Sequence, residues 1–161
     1  MLFAGYPRAI NAFFSLGKPH LRERVNSGSI ALRRRRGVLL CRRIYGGSYR
    51  ALLENMSRLH PALTEGMLEE GYGRILSRPG LTPRERELLI IPVLAGLDAW
   101  RQIPPHLRGA VRVGATVAET RRVLEGVRDL LGRRTDRVLR MLDANDFGPP
   151  HRPLEEYNEN V

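Results

Sequence analysis

The side chains able to do acid–base, nucleophilic or metal chemistry are few. The histidines are His20, His60, His106 and His151, and Cys41 is the sole cysteine. The histidines are scattered, with no metal-ligand spacing. A single cysteine excludes an internal disulfide framework and a CxxC redox pair, and it fits a reducing compartment. Arginine is the abundant chemical group. The chain has 27 basic and 17 acidic residues, a net charge of +10, and Lys18 is its one lysine. Arg33–Arg36, followed by Arg42 and Arg43, could contact phosphates. Against that, basic residues occur along the whole chain and aromatics make up only 6%, so stacking platforms are scarce. No helix-turn-helix, finger or RNA-binding signature is present. The arginine run reads as a solvated face or subunit interface, with a nucleic-acid partner as the minor alternative.

The periodicity of the elements that must position these groups is helical nearly throughout, with no strand alternation and no hairpin turn signal. A first helix is expected over residues 6–17, with Ile10, Phe13 and Phe14 on one face, then a linker over 18–29. A helix over 30–45 carries Ile30, Leu32, Val38, Leu39, Cys41 and Ile44 and stops at Gly46-Gly47. Ser48 is placed to cap a helix over 49–59, with Leu52, Leu53, Met56 and Leu59 at core spacing. Pro61 opens another, running to Leu76. Ser77-Arg78-Pro79-Gly80 breaks the chain.

Thr82, Pro83 and Glu85 then form a capping box with proline at the first helical position. Pro92 lies inside that helix and should bend it. Pro104-Pro105 opens the next helix, which ends near Gly114. Thr116 and Glu119 form a second capping box, ahead of Val117, Val123, Leu124, Val127, Leu130 and Leu131. A short segment over 134–143 follows, then an extended tail from Asn145.

At 161 residues, 42% apolar and 27% charged, the chain has the length and composition of one all-α domain. That domain spans 1–144, with a tail over 145–161. No apolar run reaches the ~18 residues of a membrane helix, and the start is a poor signal peptide. The expected location is cytoplasmic, with no membrane partner.

From Tyr72 to Gly132 the sequence resembles the carboxymuconolactone decarboxylase family, part of the alkylhydroperoxidase D-like superfamily. The resemblance rests on Ser77-Arg78-Pro79-Gly80-Leu81, Arg86-Glu87-Leu88, His106-Leu107-Arg108-Gly109-Ala110 and Gly114-Ala115-Thr116. Arg43-Ile44-Tyr45-Gly46 and Tyr49 also fit the family's opening helix, so the likeness covers roughly residues 33–131. Residues Ala4-Gly5-Tyr6-Pro7-Arg8-Ala9-Ile10-Asn11-Ala12 resemble the family's last helix, as if that helix had moved to the N-terminus. The resemblance implies an alkylhydroperoxidase D-like helical bundle, circularly permuted, that assembles as a homo-oligomer, trimer or hexamer.

It also implies where chemistry sits. The peroxidase branch uses a Cys-x-x-Cys-x-x-x-His constellation with a glutamate on the preceding helix. Here the two thiol positions fall on Ala99 and Gln102, while His106 and the glutamate, Glu87, match. Without a thiolate there is no nucleophile for peroxide chemistry, and Cys41, remote from the motif, is not assumed to replace it. What remains is a carboxylate and an imidazole, a pair suited to proton transfer. By resemblance to the decarboxylase branch, His106 is the acid/base and Glu87 orients it. Arg86, Arg101 or Arg108 binds the acid group of a small-molecule substrate, and Trp100 walls the pocket. No metal or organic cofactor is indicated. The alternatives are an antioxidant protein of the peroxidase branch and a scaffold that has kept the fold without the chemistry. Read without the resemblance, Glu87 is a first-turn acid favoured by the helix dipole, His106 a solvated first-turn histidine, and Tyr45, Tyr49 and Tyr72 packing residues.

Overall fold

The computed structural model describes residues 28–144. The expected helix over 6–17, most of the linker over 18–29 and the tail from Asn145 lie outside them. Every regular element among the described residues is helical.

Helix α1 (Ile30–Tyr45) starts where the Ser29 side chain accepts from the Leu32 amide, and it stops at Gly46, whose φ of 54° breaks the helix. A 3-10 turn (Gly46–Ser48) leads into α2 (Tyr49–Leu59). The His60 side chain accepts from the Ala62 amide and caps α3 (Pro61–Gly66), with Pro61 in the first turn. α3 widens into a π-helical stretch, Met67–Leu76. α4 (Pro83–Gly96) opens with both halves of the Thr82/Glu85 capping box formed. A 3-10 turn (Trp100–Gln102) precedes α5 (Ile103–Arg112). The Thr116/Glu119 box starts α6 (Val117–Gly126), and α7 (Arg128–Leu131) and α8 (Arg133–Asp143) complete the described chain.

Two apolar clusters hold these helices. One joins α4, α5, α6 and α8 through Leu88, Ile91, Ile103, Leu107, Leu124 and Val138. The other joins α1, α2 and the π-helical stretch through Cys41, Ile44, Tyr45, Leu52, Leu68 and Tyr72, with Val113 beyond the end of α5. α5 serves both and forms the seam between them. α1 meets the π-helical stretch backbone to backbone. A Cβ on Gly37 would lie 1.8 Å from the Leu68 carbonyl oxygen, and one on Gly73 would lie 2.2 Å from that of Arg33. Ion pairs border this crossing, Arg33 to Glu70 at 3.0 Å and Arg34 to Glu69 at 2.9 Å. Arg33 and Arg34 of the arginine run are thus answered within the chain.

Several sequence expectations change. Ser48 makes no side-chain cap, because the 3-10 turn already carries the chain into α2. Ile30, Leu32, Leu39, Leu59, Val117 and Leu130 are exposed rather than core; all but Leu130 share a helix with a better buried stripe. The helix expected from Thr116 to Leu131 is interrupted at Val127. The π-helical widening has no counterpart in the sequence reading.

Candidate active site

Glu87 is the fifth residue of α4, next to Leu88, and His106 is the fourth of α5, next to Leu107. Both leucines point into the first cluster, which fixes the rotation of each helix and sends the polar neighbours to the seam. There His106 Nδ1–H donates to Glu87 Oε2 at 2.8 Å. The side chains are 12% and 1% exposed. A carboxylate accepts only, so this bond places a proton on Nδ1 and leaves Nε2 for chemistry.

The other carboxylate oxygen, Oε1, is buried without a hydrogen-bond partner. An unsatisfied buried polar atom costs about 1–3 kcal/mol, and more when charged. That cost marks a group retained for something other than stability.

The second cluster closes the inner side of the pair. Tyr72 donates its hydroxyl proton to the Tyr45 hydroxyl at 3.1 Å, and the rings meet edge to face at 6.1 Å. Burial pushes the Tyr45 hydroxyl up to about 12 and holds that of Tyr72 well above its ordinary value. Cys41 has no exposed surface. Burial, with the Glu87 charge adding to it, pushes its thiol up to about 12. The fold therefore does bring a thiol near Glu87, but as an un-ionised core group that lacks the reactivity of a thiolate.

The remaining expected site residues are placed as follows. Arg86 Nη2 donates to the carbonyls of Arg78 at 2.6 Å and Pro79 at 3.1 Å, anchoring the loop that leads into α4. Arg101 is exposed in the turn before α5. Arg108 is half-buried on α5, and its charge is felt by the Tyr45 hydroxyl. Trp100 packs against the first cluster with the Arg137 guanidinium 4.0 Å above its ring. Ala99 is half-buried and Gln102 exposed, both in the segment leading into α5.

The pairing of the tyrosine hydroxyls and the approach of Cys41 went unread in the sequence, because helix spacing marks Tyr45 and Tyr72 as packing residues and no local pattern connects them. Among the described residues no group of three or more His, Cys, Asp or Glu side chains could hold a metal ion. No helix among them is long and apolar enough to cross a membrane.

Comparison with known proteins bears on this geometry. The model of the carboxymuconolactone decarboxylase family matches residues 61–143, the stretch that contains Glu87 and His106. The match continues past Leu131 through α8, which the reading of residues 4–12 as a displaced last helix leaves out; those residues lie outside both the match and the described structure. A nitrosuccinic acid decarboxylase from Metarhizium robertsii is 32% identical over 89 residues, covering 53% of this chain and 60% of that protein. Peroxisomal protein 2 of Schizosaccharomyces pombe is 32% identical over 83 residues, covering 51% of this chain and 39% of that protein. The chain thus spans less than two thirds of each of these relatives.

Proposed function

The chain belongs to the carboxymuconolactone decarboxylase family, and from that premise we propose that it is a cofactor-independent carboxy-lyase acting on a small carboxylated lactone or a related acid. The observation that carries this reading is the buried Glu87–His106 pair. The name of the Metarhizium relative supports the reaction class, decarboxylation, without fixing this chain's substrate.

Decarboxylation breaks the bond between carbon and the carboxylate and leaves its electron pair on that carbon, delocalised as an enolate. A cation must hold the departing carboxylate, and an acid must deliver a proton to carbon. On this reading Arg108, half-buried on the same helix as His106, supplies the cation. His106 gives its Nε2 proton to carbon while Nδ1–H stays bonded to Glu87, which keeps the ring oriented through the transfer. Water then returns a proton to Nε2. The site's apolar walls strengthen each of these electrostatic interactions.

The antioxidant alternative finds little support. Positions 99 and 102 carry no thiol, and Cys41 is held un-ionised. We further propose a homo-oligomer, supported by Leu89 and Val93 of α4 and Leu97 just past its end, which recur every fourth residue and are 49%, 59% and 55% exposed. Light scattering tests the assembly; a monomer at micromolar concentration contradicts it.

For the activity, carbon dioxide release from lactone acids and thiol-dependent peroxide turnover are measured side by side on wild type and His106→Ala. The expected result is decarboxylation alone, falling by about 10²-fold or more in the variant. Peroxide turnover alone, or a variant as fast as wild type, overturns the assignment.

A further inference from the structure

We propose that Gly109 is a positioning residue of this site, and that its missing side chain is the space in which the Glu87 carboxylate docks against α5. The inference rests on the decarboxylase reading only for its consequence on rate; its structural content stands apart.

His106 and Gly109 are three residues apart on α5 and so share one face. The same carboxylate oxygen faces both. Oε2 of Glu87 accepts from His106 Nδ1 at 2.8 Å, and it would lie 3.0 Å from a Cβ built on Gly109, with Glu87 Cδ at 3.5 Å. A methyl group there would also lie 2.6 Å from Ile44 Cγ2 of α1. That atom belongs to a stiff, β-branched side chain only 2% exposed, with little room to retreat. Three helices therefore converge on position 109: α5 supplies the gap, α4 fills it with a carboxylate, and α1 closes it with a methyl.

Alanine is the better helix former, and this position is buried within α5, where glycine weakens the helix. The sequence accepts that weakness at the residue where any side chain would press on the oxygen that holds His106. The two contacts also separate the roles. If Gly109 only lets α1 and α5 pack, removing the Ile44 methyl should compensate for an added one. If Gly109 positions the carboxylate, it should not, because the 3.0 Å contact with Oε2 remains.

The test follows the His106 Nδ1–H proton by NMR on the full chain, identified as the downfield imidazole resonance that disappears in His106→Gln. It compares wild type, Gly109→Ala, Ile44→Ala and Gly109→Ala/Ile44→Ala, with thermal melts to confirm folding. The resonance is expected at the wild-type position in Ile44→Ala. It is expected to shift upfield or vanish in both Gly109→Ala and the double variant, although the latter is relieved of the tighter clash. In an active preparation kcat should fall by about tenfold or more in those two, with a smaller change in KM. A wild-type resonance in folded Gly109→Ala, or its full return in the double variant, makes Gly109 a packing residue and overturns the proposal. So does a wild-type spectrum without any such resonance. Should Gly109→Ala fail to fold, the double variant carries the reading. Loss of the decarboxylase reading would appear as an inactive wild type with the resonance intact, so the two failures are distinguishable.

Discussion

Cys41 and Glu87 share a neighbourhood. Each is wholly buried, and the carboxylate raises the cost of ionising the thiol beside it. Iodoacetamide should therefore spare Cys41 in the native chain at neutral pH and label it in denaturant. Rapid native labelling would contradict the un-ionised, enclosed thiol. Glu87 itself is the more telling residue. It carries a buried carboxylate with one oxygen committed to His106 and the other unpaired. Without the resemblance it reads as an ordinary first-turn acid and His106 as an ordinary first-turn histidine. They lie 19 positions apart in sequence, and no helical period connects positions on two different helices. Only the packing of Leu88 and Leu107 into one cluster turns both polar neighbours toward the same seam.

Among the elements, those set by local pattern are legible in the sequence. The Thr82 and Thr116 capping boxes form as their spacing predicts, because a capping box is completed within one turn. The π-helical stretch was not legible, nor was its contact with α1. Both depend on Gly37 and Gly73 meeting carbonyls that lie far away in sequence, and a glycine's local signal is a weakened helix, not a helix crossing. Gly37→Ala should consequently be costly. Its methyl would strike backbone, which cannot swing aside, and overpacking of this kind costs about 1–3 kcal/mol or more. Urea unfolding should show a midpoint lowered to match. An unchanged midpoint would mean that α1 and the π-helical stretch do not approach so closely.

Across the molecule, charge and burial divide the work. The +10 balance suggests a polyanion partner when read as a sum. Read in place, many arginines answer carboxylates of their own chain, including Arg33, Arg34, Arg84, Arg128 and Arg134. The inner cluster sets the alkaline limit of stability. Cys41 rises from an ordinary 9.0 and Tyr45 from 10.0, each to about 12, with Tyr72 also raised. In the folded chain these groups keep protons that the unfolded chain gives up. Their contribution is complete below about pH 9 and is lost progressively as pH climbs toward 12. The Tm should fall over that window. Cys41→Ala should flatten its first part while lowering the neutral-pH Tm through the cavity it leaves. A Tm independent of pH there would contradict the burial of all three groups.

The whole account turns on proton transfer by an imidazole held by a buried carboxylate. The most direct measurement is the rate of carbon dioxide release from a carboxylated lactone by wild type, Glu87→Gln and His106→Gln, read beside their melting curves. The account predicts that both variants lose about 10²-fold or more of the rate. It also predicts that Glu87→Gln melts no lower than wild type, because the substitution removes the charge of a buried carboxylate with one unpartnered oxygen and keeps an acceptor for His106. Full activity in either folded variant would contradict it.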